Sequence, residues 1–144
     1  MKAIKRILVA TDNSDSANRA VEAAADLAKQ VDGSLIIVNV EQGYFDHNLG
    51  PIDSRDGVMD MLDARSREIL LRAKEQAQRV GVADVQTISG LGDAAAFILD
   101  VAKREAVDLI VLGKRGRSRL AGILIGSVSQ HVAALAPCSV HVVP

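Results

Sequence analysis

Short apolar runs alternate with stretches of helical period along this chain, and few folds accept that pattern. Ile4 to Ala10 is rich in aliphatic and β-branched residues and stops at Thr11-Asp12-Asn13-Ser14-Asp15, where turn formers accumulate. A short run bounded in this way predicts a strand covered on both faces. Ser14 or Asp15 is placed to cap the next helix, whose Ala17, Ala20, Val21, Ala24, Leu27, Ala28 and Val31 recur at three- and four-residue steps until Asp32-Gly33. Ser34 to Val40 predicts a second buried strand. Helical spacing resumes with Val58, Leu62, Ile69, Ala73, Ala77 and Val80 and closes on Gly81. Asp84 to Ser89 alternates in polarity and predicts a third strand, at a sheet edge. Asp93 opens a helix through Ala95, Ile98, Leu99 and Ala102, Val107 to Leu112 predicts a fourth strand, Ser127 to Ala136 a helix, and Ser139 to Val143 a last strand. Residues 41 to 57, with glycines, a proline and scattered charges, predict a mobile loop.

Strand and helix thus alternate from end to end. Each right-handed crossover lays a helix across a parallel sheet, so the expected fold class is α/β: one doubly wound domain over residues 1–144, with a five-stranded parallel sheet of order 3-2-1-4-5 and helices on both faces. The length, 144 residues, suits one domain that buries about two thirds of its unfolded surface.

Composition narrows the function. Aromatic residues make up only 2%, so the core must be aliphatic and bases would find few stacking platforms. A net charge of −1 supplies no field that recruits nucleic acid or an anionic membrane. The one cysteine, Cys138, excludes an internal disulfide and suits a reducing compartment. No apolar run approaches the roughly 20 residues of a membrane span. The run Ile7 to Ala10 is too short for a signal-peptide core, so the expected setting is cytoplasmic.

The passage from the fourth strand to the last helix is the anomaly. Such connections usually take about 2 to 6 residues, whereas here GKRGRSRLAGILIGS, residues 113 to 127, intervenes. In doubly wound sheets ligands sit beyond the carboxyl ends of the strands, where strand order reverses. With the order 3-2-1-4-5, this loop would meet the one after the first strand. Gly113 and Gly116 permit positive φ and close approach of a ligand to main-chain amides. Gly126-Ser127 opens a helix whose first-turn amides suit a phosphate, with the hydroxyls of Ser127 and Ser129 as added donors. Lys114, Arg115, Arg117 and Arg119 add positive charge. Asp12, after the first strand, suits a ribose hydroxyl or a base amine. Its alternative role is to cap the first helix or hold the turn.

Taken together, VATDNSDSA, DLIVLGKRGRSRLAGILIGSVSQHV and APCSVHVVP make the chain resemble the universal stress protein family over nearly its whole length. The most specific part is the spacing G-x2-G-x9-G-[ST], met by Gly113, Gly116, Gly126 and Ser127, which marks the ATP-binding subgroup. The resemblance implies the same 3-2-1-4-5 fold, with ATP, or AMP or ADP, in the cleft and room for Mg2+ held through the phosphates. By position, Asp12 and Val40 would flank the adenosine, with Ala10 and Thr11 as main-chain neighbours of the base. Gly113, Lys114, Arg115 and Gly116 would wrap the phosphates, and Gly126, Ser127, Val128 and Ser129 would complete the phosphate and ribose contacts. It further implies a homodimer that pairs the last strands through Val140, His141, Val142 and Val143, in stress response or signalling. An unpaired edge strand gives that pairing an independent reason. The chain departs from the family at Ser139, where members commonly carry proline.

Other candidates are weaker. His47, His131 and His141 lack ligand spacing, so no metal site is expected. His131 reads as partly packed on its helix, and Tyr44 and His47 as solvated loop residues. No catalytic residue stands out, and Cys138 has no histidine beside it in sequence. Two rival functions remain: a slow ATPase or phosphoryl or nucleotidyl transferase using the same cradle, and a nucleotide-free interaction module with an unidentified protein partner.

Overall fold

The period of the apolar residues is realised as β1 (Arg6–Ala10), α1 (Asp15–Val31), β2 (Ser34–Glu41), α2 (Arg55–Val80), β3 (Asp84–Leu91), α3 (Ala94–Arg104), β4 (Leu109–Gly113), α4 (Ser127–Leu135) and β5 (Ser139–Val143). A computed structural model describes residues 2–42, 55–114 and 125–144 of the chain. The five strands form one sheet in the order β3-β2-β1-β4-β5, and every neighbouring pair is parallel. The doubly wound α/β fold expected from the pattern is therefore the one formed, with β3 at one edge and β5 at the other.

Alternate residues of each strand feed two aliphatic layers. On one face Ile7, Val9, Leu35, Ile37, Leu109 and Val111 pack with Ala20, Val21, Ala24 and Ala28 of α1 and Leu70, Ala73 and Ala77 of α2. On the other, Leu8, Ile36, Val38, Ile110 and Leu112 meet Ala95, Ile98, Val101 and Ala102 of α3 and Val132 of α4. The alanines of α1 let its backbone lie close to the sheet, so a core with almost no aromatic residues still fills its volume. Ser14 caps α1, its hydroxyl accepting the Ala17 N–H at 3.2 Å. Asp93 does the same for α3 through the Ala96 N–H at 2.9 Å. Gly81 ends α2 with φ +112°, the left-handed conformation that favours glycine.

The boundaries shift where long-range bonds intervene. β1 begins at Arg6 rather than Ile4, because the main-chain N–H groups of Lys5 and Arg6 both donate to Asp108 Oδ2 at 2.9 Å. Lys2 Nζ lies 3.1 Å from the other carboxylate oxygen. Val107 closes the turn after α3 through the Ala102 carbonyl, so β4 starts at Leu109. α2 begins at Arg55, inside the stretch expected to be a loop. Residues 43–54, with Tyr44 and His47, lie outside the described residues. His131 is exposed on α4 rather than partly packed, because Ser129 and Val132 are the positions that α4 buries.

Candidate functional site

β1 and β4 lie side by side, yet the chain leaves them toward opposite faces, α1 to one and α4 to the other. Two loops therefore part above the carboxyl ends of these strands, which is where doubly wound sheets hold ligands.

The β1–α1 side is tightly built. Ala10 ends β1 half-buried, and Thr11, 5% exposed, continues the ladder by donating its N–H to the Val38 carbonyl at 2.9 Å. Asn13 turns the chain with φ +66° and donates its N–H to Thr11 Oγ1 at 3.1 Å. Asp12 accepts the Ser14 N–H on Oδ1 at 2.9 Å. The carboxylate thus holds the turn, and Ser14, not Asp12, is the helix cap. Val40 is half-buried as the penultimate residue of β2.

On the β4–α4 side, Gly113 has a steric reason that the sequence does not show. Its φ is not in the left-handed region, and a Cβ there would stand 2.6 Å from Ser16 Oγ and 2.8 Å from the Ser16 carbonyl carbon. The missing side chain lets β4 pass against the first turn of α1. Lys114 donates its N–H to the Val143 carbonyl at 2.6 Å, and its own carbonyl takes the Gly126 N–H at 2.8 Å. The connection therefore leaves and returns at one point. Arg115 and Gly116 lie between those ends and outside the described residues.

Gly126 is the N-cap of α4 and offers no side-chain acceptor, so the N–H groups of Ser127, Val128 and Ser129 lack a capping partner from it. Ser127 is exposed, while the Val128 side chain packs against the second aliphatic layer and contributes only its main chain to this end. Ser129 is 4% exposed, and its hydroxyl donates to the Gly113 carbonyl at 2.8 Å. Its proton is turned inward, fastening α4 to the end of β4, instead of outward to an anion. The site brings together Ala10, Thr11, Asp12, Gly113, Lys114, Gly126, Ser127, Val128 and Ser129 on adjoining strand ends, with Val40 one strand away. The sequence pattern of the universal stress protein family matches residues 3–144.

The chain belongs to the universal stress protein family. The universal stress protein YxiE of Bacillus subtilis is 37% identical over 145 residues, which cover 96% of this chain and 97% of that one. Among solved structures, the universal stress protein UspA from Lactobacillus plantarum superposes with a TM-score of 0.84 at 26% identity, over 99% of this chain and 100% of its own. A universal stress protein solved in complex with cAMP gives 0.75 at 28% identity, over 99% of each chain.

Two other features of this universal stress protein stand apart from the strand-end crevice. A cleft of about 570 Å3 opens at the opposite, amino-terminal edge of the sheet, between Lys5, Lys29, Gly33, Ser34 and Asp84. Its charges are mixed and it adjoins the end of α1 rather than a helix start, so it lacks the features that suit a phosphate. Cys138 is half-buried against the second layer, and burial, aided by the Asp108 carboxylate, pushes its thiol pKa up, away from nucleophilic chemistry. One residue of the strand ends escaped the sequence reading. Asn39, 1% exposed, donates Nδ2–H to the Thr11 carbonyl at 2.7 Å. Its signal was a lone amide in the otherwise aliphatic run Leu35 to Val40.

Proposed function

We propose that this universal stress protein binds an adenine nucleotide, ATP foremost and AMP or ADP as alternatives, in the crevice between the β1–α1 turn and the start of α4. The phosphates lie against the Ser127, Val128 and Ser129 amides, with Mg2+ carried on them, and Asp12 addresses the ribose. The observation that carries this reading is the α4 start: three first-turn amides that the Gly126 N-cap leaves without a side-chain acceptor, at the positive end of the helix, beside a connection pinned at Lys114 and Gly126. The related protein in complex with cAMP supports an adenine ligand.

Nucleotide occupancy in turn biases a homodimer that works in stress response or signalling in the cytoplasm. The Lys114 N–H bonds the Val143 carbonyl, so Ser139, His141 and Val143 face β4, while the main-chain groups of Val140 and Val142 turn to the outer edge. Among the described strands none covers that edge, and a two-fold copy of β5 would. Among the described residues no helix is long and apolar enough to cross a membrane.

Thermal melting with and without Mg-ATP tests the nucleotide reading. A ligand at 100 times its Kd stabilises by about 2.7 kcal/mol, roughly 5–10 °C for a chain of this size. Asp12→Ala is expected to lose most of that shift. Melting that does not move at millimolar ATP, AMP or ADP would end the proposal.

A further inference from the structure

A buried asparagine in an aliphatic strand needs a reason. Asn39 is 1% exposed, and while its Nδ2 has a partner, its Oδ1 is buried with no hydrogen bond among the described residues. An unmade bond of this kind costs about 1–3 kcal/mol, and a valine would have avoided it.

The reason lies in the direction of the strand's main-chain groups. Thr11 N–H bonds the Val38 carbonyl, so the even-numbered residues of β2 turn their N–H and C=O groups toward β1. Glu41, whose carbonyl takes the Gly92 N–H, shows the odd-numbered ones turning toward β3. The next rung of the β1–β2 ladder would run from the Val40 N–H to the Thr11 carbonyl. Among the described bonds it is not made, and the Asn39 side chain donates to that carbonyl at 2.7 Å in its place. The Val40 N–H points past the end of β1, and no described acceptor takes it.

We infer that Asn39 is a positioning residue, whose amide takes the Thr11 carbonyl and so keeps the Val40 main-chain N–H open toward the strand-end crevice for a hydrogen-bond acceptor on the edge of the bound base. This inference rests on the nucleotide reading above for the identity of the ligand, but not for the ladder geometry. The same bond anchors the peptide that precedes Asp12, so one side chain sets two contacts of the site. The acceptor must be a ring nitrogen or carbonyl oxygen with a free lone pair, as purine N1 has when neutral.

Amide hydrogen exchange of the nucleotide-free protein, read by NMR, tests the ladder directly. Val40 is expected to exchange fast beside a protected Val38. In Asn39→Val the rung closes and Val40 gains about 100-fold protection. ATP binding by the same variant weakens about tenfold, the effect of one lost ligand bond, while its melting temperature does not fall. Asn39→His, which keeps an N–H donor, restores affinity to within about threefold. A purely structural Asn39 predicts the reverse pattern: a lower melting temperature and unchanged Val40 exchange. Protection of Val40 in the wild type, or wild-type ATP affinity in Asn39→Val, overturns the inference. If no adenine nucleotide binds the wild type while Val40 exchanges as described, the nucleotide proposal falls and the ladder role of Asn39 stands.

Discussion

Replacing Gly113 by alanine separates two explanations of a glycine at the crevice. If it serves ligand approach, a methyl group should block nucleotide and leave the fold alone. The structure points elsewhere: the new Cβ would lie 2.6 Å from Ser16 Oγ, 2.8 Å from the Ser16 carbonyl carbon and 3.0 Å from the Ala17 nitrogen. Carbon contacts settle at about 3.5–4.0 Å, so roughly 1 Å of room is missing. The hydroxyl can rotate aside, but the two backbone atoms move only if the first turn of α1 moves. Overpacking of this kind costs about 1–3 kcal/mol. The ordinary φ of Gly113 adds no strain, and the loss of unfolded-state freedom returns about 0.4–1 kcal/mol at a compatible site. The net effect is a melting temperature lowered by about 2–8 °C, without any ligand present. Urea denaturation of Gly113→Ala, and of Gly113→Ala combined with Ser16→Ala, measures it, and the second change should recover only the smaller part. Wild-type stability in Gly113→Ala, with nucleotide binding lost, would refute the packing argument.

The remaining expectations concern charge and assembly. The Arg6 and Lys5 N–H groups, with Lys2 nearby, hold the Asp108 carboxyl below the usual carboxylate range. Its contribution is therefore complete above about pH 4 and is lost as the pH falls through the lowered folded value. Asp108→Asn keeps an acceptor but not the charge, so its stability deficit in denaturant titrations at pH 6 should shrink at pH 3, and an undiminished deficit contradicts the assignment. Val142→Pro removes an N–H that faces away from β4, so if the proposed dimer pairs β5 strands, the variant should keep its circular dichroism yet sediment as a monomer under conditions where the wild type sediments as a dimer. A dimer that survives it would move the interface elsewhere.

Much of the architecture was legible locally. The caps at Ser14 and Asp93 and the Gly81 terminus follow from side chains that satisfy main-chain groups within a few residues. Strand boundaries were less legible, because the start of β1 depends on Asp108, some hundred residues away. The site divides in the same way. That Asp12 follows β1 and that Gly126 and Ser127 open α4 could be read from the local pattern, but the inward hydroxyl of Ser129 and the steric role of Gly113 could not.

The sequence alone determined the alternation of elements and the two-sided aliphatic core, because helix and strand periods are properties of adjacent residues. It also marked the fourth connection as unusually long. Only the tertiary structure decided which groups meet there: Asn39 with Thr11, Gly113 with Ser16, and Lys114 with both Gly126 and Val143. Those meetings follow from strand register and helix crossing, which are set by the packing of the whole sheet and by no single stretch of the chain.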